Sequence, residues 1–163
     1  MNPNMPRILD LGCGGNKQPG AWGVDKDQSL GVDQLINLDN YPWDLPDDYF
    51  HVVYALQLLE HLADRVGTMH ELYRICTHGA LIYAELPWGN TPGFVQDPTH
   101  KSPWNEKTFL YFSRQWPDRP YKFKVDFRML YYWRERENRQ NMMGSTWYRD
   151  NFVVVMQVIK DHS

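Results

Sequence analysis

The chain has 163 residues, a formal net charge of −3 from 17 basic and 20 acidic side chains, and two cysteines. That size fits one hydrophobic core, so a single domain over 1–163 is expected, and two cysteines are too few for a disulfide framework. No apolar run approaches the ~20 residues needed to cross a bilayer, and the Met-Asn-Pro-Asn-Met-Pro start lacks the layout of a signal peptide, so no membrane association and a cytoplasmic location are expected.

In chain order, Ile8, Leu9 and Leu11 form a short apolar run that suits a strand buried on both faces. It ends in Gly12-Cys13-Gly14-Gly15, where missing side chains let the backbone turn sharply and approach a ligand. A second strand, Trp22 to Val24, ends in Asp25, and Val32 to Leu38 reads as a third. Pro42 and Pro46 enclose a loop before a fourth strand over Val52 to Leu56. Residues 63–76 favour a helix with Val66, Met69, Tyr73 and Cys76 on one face, closed by Gly79. Ala80 to Leu86 is a fifth strand, and the loop after it leads to Ser102-Pro103, an N-cap and first-position proline that predict a helix through Phe109 to about Phe112. Phe123 to Tyr131 alternates apolar and polar residues as a half-exposed strand, and Phe152 to Ile159 is a more uniformly apolar one beside it. Segments 87–121 and 133–150 remain as the loops and helix able to cover an acceptor.

Two cofactor classes compete for the first strand, glycine loop and Asp25. A carboxylate at the tip of the second strand can accept both hydroxyls of a ribose. The dinucleotide fingerprint, however, needs a third glycine and a helix whose N–H groups hold a pyrophosphate. Here Lys17 stands at the third glycine position, Pro19 and Gly20 interrupt any helix, and Asp25 comes too early for a crossover helix. S-adenosylmethionine carries no phosphate and asks only for a ribose acid, room for adenine and close backbone, which this stretch offers.

Asp10-Leu-Gly-Cys-Gly with Asp25 resembles motif I and the acidic loop of class I S-adenosylmethionine-dependent methyltransferases, of the small type 11-like kind. Asn37 to Leu62, including Leu59-Glu-His-Leu62, is similar to that family's segment from strand 3 through strand 4, and Asp97-Pro-Thr-His100-Lys101 resembles a region after strand 5. The resemblance spans about residues 7–112. It departs at Gln57, where many relatives carry histidine, and in the helix between strands 1 and 2, shortened here to a loop. It implies a Rossmann-like α/β sandwich with a mostly parallel seven-stranded sheet of order 3-2-1-4-5-7-6 and strand 7 antiparallel. The cofactor-facing set would then be Asp10, Gly12, Cys13, Gly14, Asp25, Lys26, Asp39, Asn40 and Gln57, with Asp10 near the methionine part and Asp39 near adenine.

On the acceptor side, a neutral His100 with Asp97 three residues before it can take a proton from an attacking hydroxyl. Glu60 and His61 read as a first helical turn, where a carboxylate favours the dipole. No recognised metal-ligand spacing is present, so no metal is expected. Residues 1–60 hold nine acids against three bases, and 101–163 hold twelve bases against seven acids, which points any anionic partner to the C-terminal part. The expected activity is methyl transfer from S-adenosylmethionine, yielding S-adenosylhomocysteine, to an oxygen of a small molecule or glycan. The alternatives are a nucleic acid or protein substrate, or a cofactor-binding scaffold. Ala55-Leu-Gln-Leu58, standing where base-amino methyltransferases carry their Asn/Asp-Pro-Pro-Tyr signature, argues against DNA N-methylation. A homo-oligomer or partner subunit can complete a small acceptor site.

Overall fold

The computed structural model describes residues 5–140 and 146–161, with side chains outside 136–149. Seven strands form one sheet: β1 (Ile8–Leu11), β2 (Trp22–Asp25), β3 (Gln34–Leu35), β4 (Phe50–Leu56), β5 (Cys76–Pro87), β6 (Phe127–Gln140) and β7 (Thr146–Val158), in the order β3-β2-β1-β4-β5-β7-β6. The first five run parallel, and β7 lies antiparallel between β5 and β6. Both the order and the antiparallel seventh strand agree with the sequence reading. So does the connection between β1 and β2, which contains no helix.

Every second residue of the central strands enters the core. Ile82, Ala84 and Leu86 of β5 and Phe152, Val154, Met156 and Val158 of β7 are inaccessible to solvent, and so are Leu9 and Leu11 of β1 and Val53 and Ala55 of β4. The third strand is shorter than Val32 to Leu38 because the chain leaves the ladder after Ile36 N–H donates to the Asp25 carbonyl, letting Ile36 and Leu38 fold into the core.

Helix α1 (Arg65–Ile75) is capped by Asp64, whose carboxylate accepts from the Val66 and Gly67 amides at 3.0 and 2.9 Å. Its buried stripe is Met69, Leu72 and Ile75, while Val66 is exposed, so the face is rotated from the expected one. The helix passes directly into β5 at Cys76, and Gly79, expected to close the helix, lies inside the strand.

Beyond β5 come two short helices, α2 (Pro92–Val95) and α3 (Glu106–Leu110). Ser102 does not cap a helix. Its hydroxyl lies 3.1 and 2.8 Å from the Leu59 and Leu62 carbonyls, and the buried Trp104 indole donates to Leu59 O at 3.1 Å. These tertiary bonds hold 102–104 extended against the Leu59–His61 turn, and α3 starts later, at Asn105 and Thr108, which form a reciprocal capping box. Phe123 stacks on Phe112 at 4.9 Å instead of opening β6. The 133–150 segment, expected as loop or helix, is largely strand: Trp133–Gln140 pairs with Thr146–Val153, and residues 141–145 lie outside the described residues. β5 pairs with β7 from Asn151 onward, so among the described residues the far end of β6 and β7 is paired only to itself.

Candidate functional site

At the carboxyl edge of the parallel strands opens a cavity of about 540 Å³, within the ~300–1,000 Å³ of small-molecule sites. Gly12 after β1, Asp25 and Lys26 after β2, Ile36 to Asp39 after β3, and Gln57 and Leu58 after β4 all line it, closed by His61, Leu62 and the 98–101 loop. Its position is the switch point, where neighbouring connections leave the sheet in opposite directions.

The glycine loop is shaped by two backbone bonds, from the Gly12 and Cys13 amides to the Val24 carbonyl at 2.7 and 3.1 Å. Gly12 sits at φ +66°, and a Cβ there would meet Leu58 Cδ1 at 2.7 Å, so any other residue strains the backbone and displaces Leu58 from the cavity wall. Asp10 is buried beneath it and accepts from the Gln18 amide at 2.7 Å. Burial raises its pKa above the ordinary carboxylate range, with the Gln18 bond opposing. The Asp25 carboxylate lines the cavity while receiving the Gly14 and Asp27 amides at 2.9 and 3.0 Å. Loop and acid are thus one hydrogen-bonded unit.

Behind the loop, Asp33 accepts from the Gly23 amide at 2.7 Å and pairs with Lys17 at 2.6 Å. Burial opposes its ionisation, but these two contacts hold its pKa below the usual value. Asp39 has both oxygens engaged, one by the Ala63 amide at 3.0 Å and one by Lys101 at 2.5 Å. Its pKa is lowered too, Lys101 and Ala63 overcoming burial. Gln57, at the cavity lining, adopts φ +52° as its backbone amide donates to the Glu85 carbonyl at 2.6 Å, and its side-chain amide donates to the Glu85 carboxylate at 3.3 Å.

On the far wall, Leu59–His61 forms a single 3₁₀ turn. Glu60 is fully buried, and neither carboxyl oxygen has a hydrogen-bond partner of good geometry among the described residues. Burial pushes its pKa up to about 7, its own amide opposing and Asp97 and Glu85 reinforcing. His61 Nε2 lies 4.0 Å from Glu60 Oε1, and the rings of His61 and His100 meet edge-on at 4.8 Å. His100 Nδ1 is 2.8 Å from the Phe94 carbonyl, so Nδ1 carries the hydrogen and Nε2 is left with a lone pair, 3.7 Å from Asp97 Oδ2.

No protein-family model matches the sequence, and no curated protein matches it. Solved structures do. The YcgJ protein from Bacillus subtilis superposes with a TM-score of 0.65 at 12% identity, over 98% of this chain and 94% of that one. A SAM-dependent methyltransferase from Methanosarcina mazei gives 0.61 at 15% identity, over 97% and 94%. A chain from the Haloferax volcanii complex with the Trm112 methyltransferase activator gives 0.60 at 14% identity, over 99% and 86%. The chain has the class I S-adenosylmethionine-dependent methyltransferase fold.

Of the sequence-predicted cofactor residues, this methyltransferase fold brings Gly12, Asp25, Lys26, Asp39 and Gln57 to the cavity. Asp10, Cys13 and Gly14 stand behind its lining and shape it, and Asn40 is exposed in the turn after β3. His100 and Asp97 do not line the cavity; His61, Thr99 and Lys101 do. The sequence reading of Glu60 and His61 as an ordinary helical turn missed the burial of Glu60. The signal for it is a charged residue flanked by Leu58, Leu59 and Leu62, each buried.

Proposed function

We propose that this protein is an S-adenosylmethionine-dependent methyltransferase acting on an oxygen of a small molecule or glycan. The observation that carries the reading is Asp25, a carboxylate at the tip of β2 that faces a cavity walled by Ile36, Leu38, Leu58 and Leu62. Its oxygens suit a ribose diol, and the apolar walls suit a flat purine. The β1–β2 connection supplies a glycine turn but no helix, so it lacks the N-terminal amides that hold a pyrophosphate.

When bound, the cofactor supplies a methyl group already activated by a positive sulfur. The residues of this chain then have to bind, orient and exclude water. Gly12 lets the backbone approach, Asp25 fixes the ribose, and Gln57 stands between the cavity and the acceptor side. There, Asp97, Thr99, His100 and Lys101 offer polar groups to an incoming hydroxyl, and alignment of the two reactants supplies most of the rate enhancement. A second subunit can complete the acceptor cover, which in this chain is limited to the stretch after β5.

The test is calorimetric titration with S-adenosylhomocysteine and with NAD, followed by transfer of labelled methyl groups from the cofactor to a panel of hydroxyl acceptors. Binding of S-adenosylhomocysteine without NAD is the expected result. Preferential NAD binding overturns the cofactor assignment, and cofactor binding without transfer to any acceptor favours a scaffold.

A further inference from the structure

We propose that Glu60, His61 and His100 form a binding site for one divalent transition-metal ion, of which Zn²⁺ is the best match. The three residues each offer one ligand atom, and these atoms all lie within 4.8 Å of one another, the only such group among the described residues. Two imidazoles and a carboxylate form the three-ligand set that zinc accepts, whereas Mg²⁺ and Ca²⁺ prefer oxygen alone.

The hydrogen bonding around the cluster makes the same demand. His61 Nδ1 lies 3.3 Å from the Thr99 carbonyl and 3.1 Å from the Thr99 hydroxyl, whose own hydrogen goes to Asp97 Oδ1 at 2.6 Å, and His100 Nδ1 lies 2.8 Å from the Phe94 carbonyl. A carbonyl only accepts, so both rings carry their hydrogen on Nδ1 and present a bare Nε2. A backbone carbonyl on the second nitrogen is also what orients metal-binding histidines. Glu60, fully buried, adds carboxyl oxygens with no donor of good geometry. With Glu60 ionised and both rings neutral, three acceptors converge. The neighbouring Lys101 ammonium is held by Asp39 at 2.5 Å. A cation at the centre satisfies all three at once. Tetrahedral bonds of about 2.0–2.2 Å place ligand atoms roughly 3.4 Å apart, so no pair has to close by more than roughly 1.4 Å.

Asp97 Oδ2, 3.7 Å from His100 Nε2, adds negative charge at the rim. Three protein ligands leave a coordination position open, and His61 is the one of the three that lines the cavity. A His100 Nε2 bound to metal is a ligand and not the free proton acceptor that the sequence alone suggests.

The experiment uses tag-free full-length protein stripped with EDTA, titrated calorimetrically with Zn²⁺ and, separately, with Co²⁺ followed by visible absorption. One equivalent of tightly bound Zn²⁺ is expected, with Co²⁺ giving ligand-field bands and no sulfur charge-transfer band. Glu60→Gln and His100→Ala should each weaken Zn²⁺ binding at least a hundredfold while circular dichroism stays native. The proposal is overturned if the stripped wild-type protein takes up no Zn²⁺, if both variants bind as wild type does, or if a sulfur band places the ion on Cys13 or Cys76. Should a variant misfold, the wild-type stoichiometry and Co²⁺ spectrum still decide. The measurement needs neither cofactor nor acceptor, so its failure leaves the methyl-transfer reading standing, and the reverse holds equally.

Discussion

The two walls of the cavity treat their carboxylates in opposite ways. On the glycine-loop wall each acid is tied to a backbone amide: Asp10 to Gln18, Asp25 to Gly14, Asp33 to Gly23, and Asp39 to Ala63. On the opposite wall Glu60 is more deeply buried than any of them and has no such donor. The first pattern fixes a shape before any ligand arrives, because each amide and carboxylate satisfies the other. The second leaves bonding capacity inside the protein, a state that persists only where something else gains from it.

The sharpest way to break the preformed wall is Gly12→Val. It forces a β-branched residue into φ +66° and against Leu58, costing about 3 kcal/mol from left-handed strain and overpacking together. S-adenosylhomocysteine affinity should fall by about a hundredfold in calorimetry. Asp25→Ala should follow, removing charge-assisted bonds of about 1.5–3 kcal/mol, so that affinity drops about tenfold or more. An unchanged affinity would place the ribose elsewhere. Asp10→Ala touches the scaffold of the same wall and leaves the Gln18 amide without its acceptor. Urea denaturation should show a loss of about 1–3 kcal/mol.

Glu60→Leu sharpens the contrast from the other side. In EDTA-treated protein it removes buried oxygens that no donor satisfies, so stability should stay level or rise. A loss above about 1 kcal/mol would reveal a structural partner for Glu60. The smallest effect concerns the thiols. Burial pushes Cys13 to about 11 and Cys76 to about 12, so both are protonated at pH 8, and native protein should react negligibly with a disulfide reagent that titrates two thiols in urea. A fast native thiol would show that the glycine loop opens.

Much of the preformed wall was legible in the residues because its determinants are local. The Leu-Gly-Cys-Gly turn, the interrupting Pro19 and the early Asp25 lie within about twenty residues, and their spacing already excluded a crossover helix. The strand order came from resemblance and agrees with the sheet. What stayed hidden depends on contacts between distant segments. Ser102-Pro103 carries a good local helix signal, yet Leu59 and Leu62 carbonyls, some forty residues earlier, take the serine hydroxyl and delay the helix to Asn105. Glu60 and His100 are likewise forty residues apart, and nothing in their local patterns announces that Lys101 and Ser102 donate their amides to the Glu60 carbonyl and bring the two loops together. The start of β6 was misplaced for a similar reason: Phe123 finds Phe112 before it finds a neighbouring strand.

The base of the β6–β7 hairpin is fastened by one arginine. Arg134 grips Asp150 with two bonds of 2.6 Å and lies over the Trp88 ring at 4.4 Å, while the Trp88 amide donates to the Asp150 carbonyl at 2.9 Å. Any swing of the outer hairpin must pivot beyond this rivet, because the strand below it is laced to β5. A guanidinium resting on an indole alters that indole's emission, so the difference in emission between the wild-type protein and Trp88→Phe, taken above the six other tryptophans, is a built-in optical gauge of whether the hairpin base is seated.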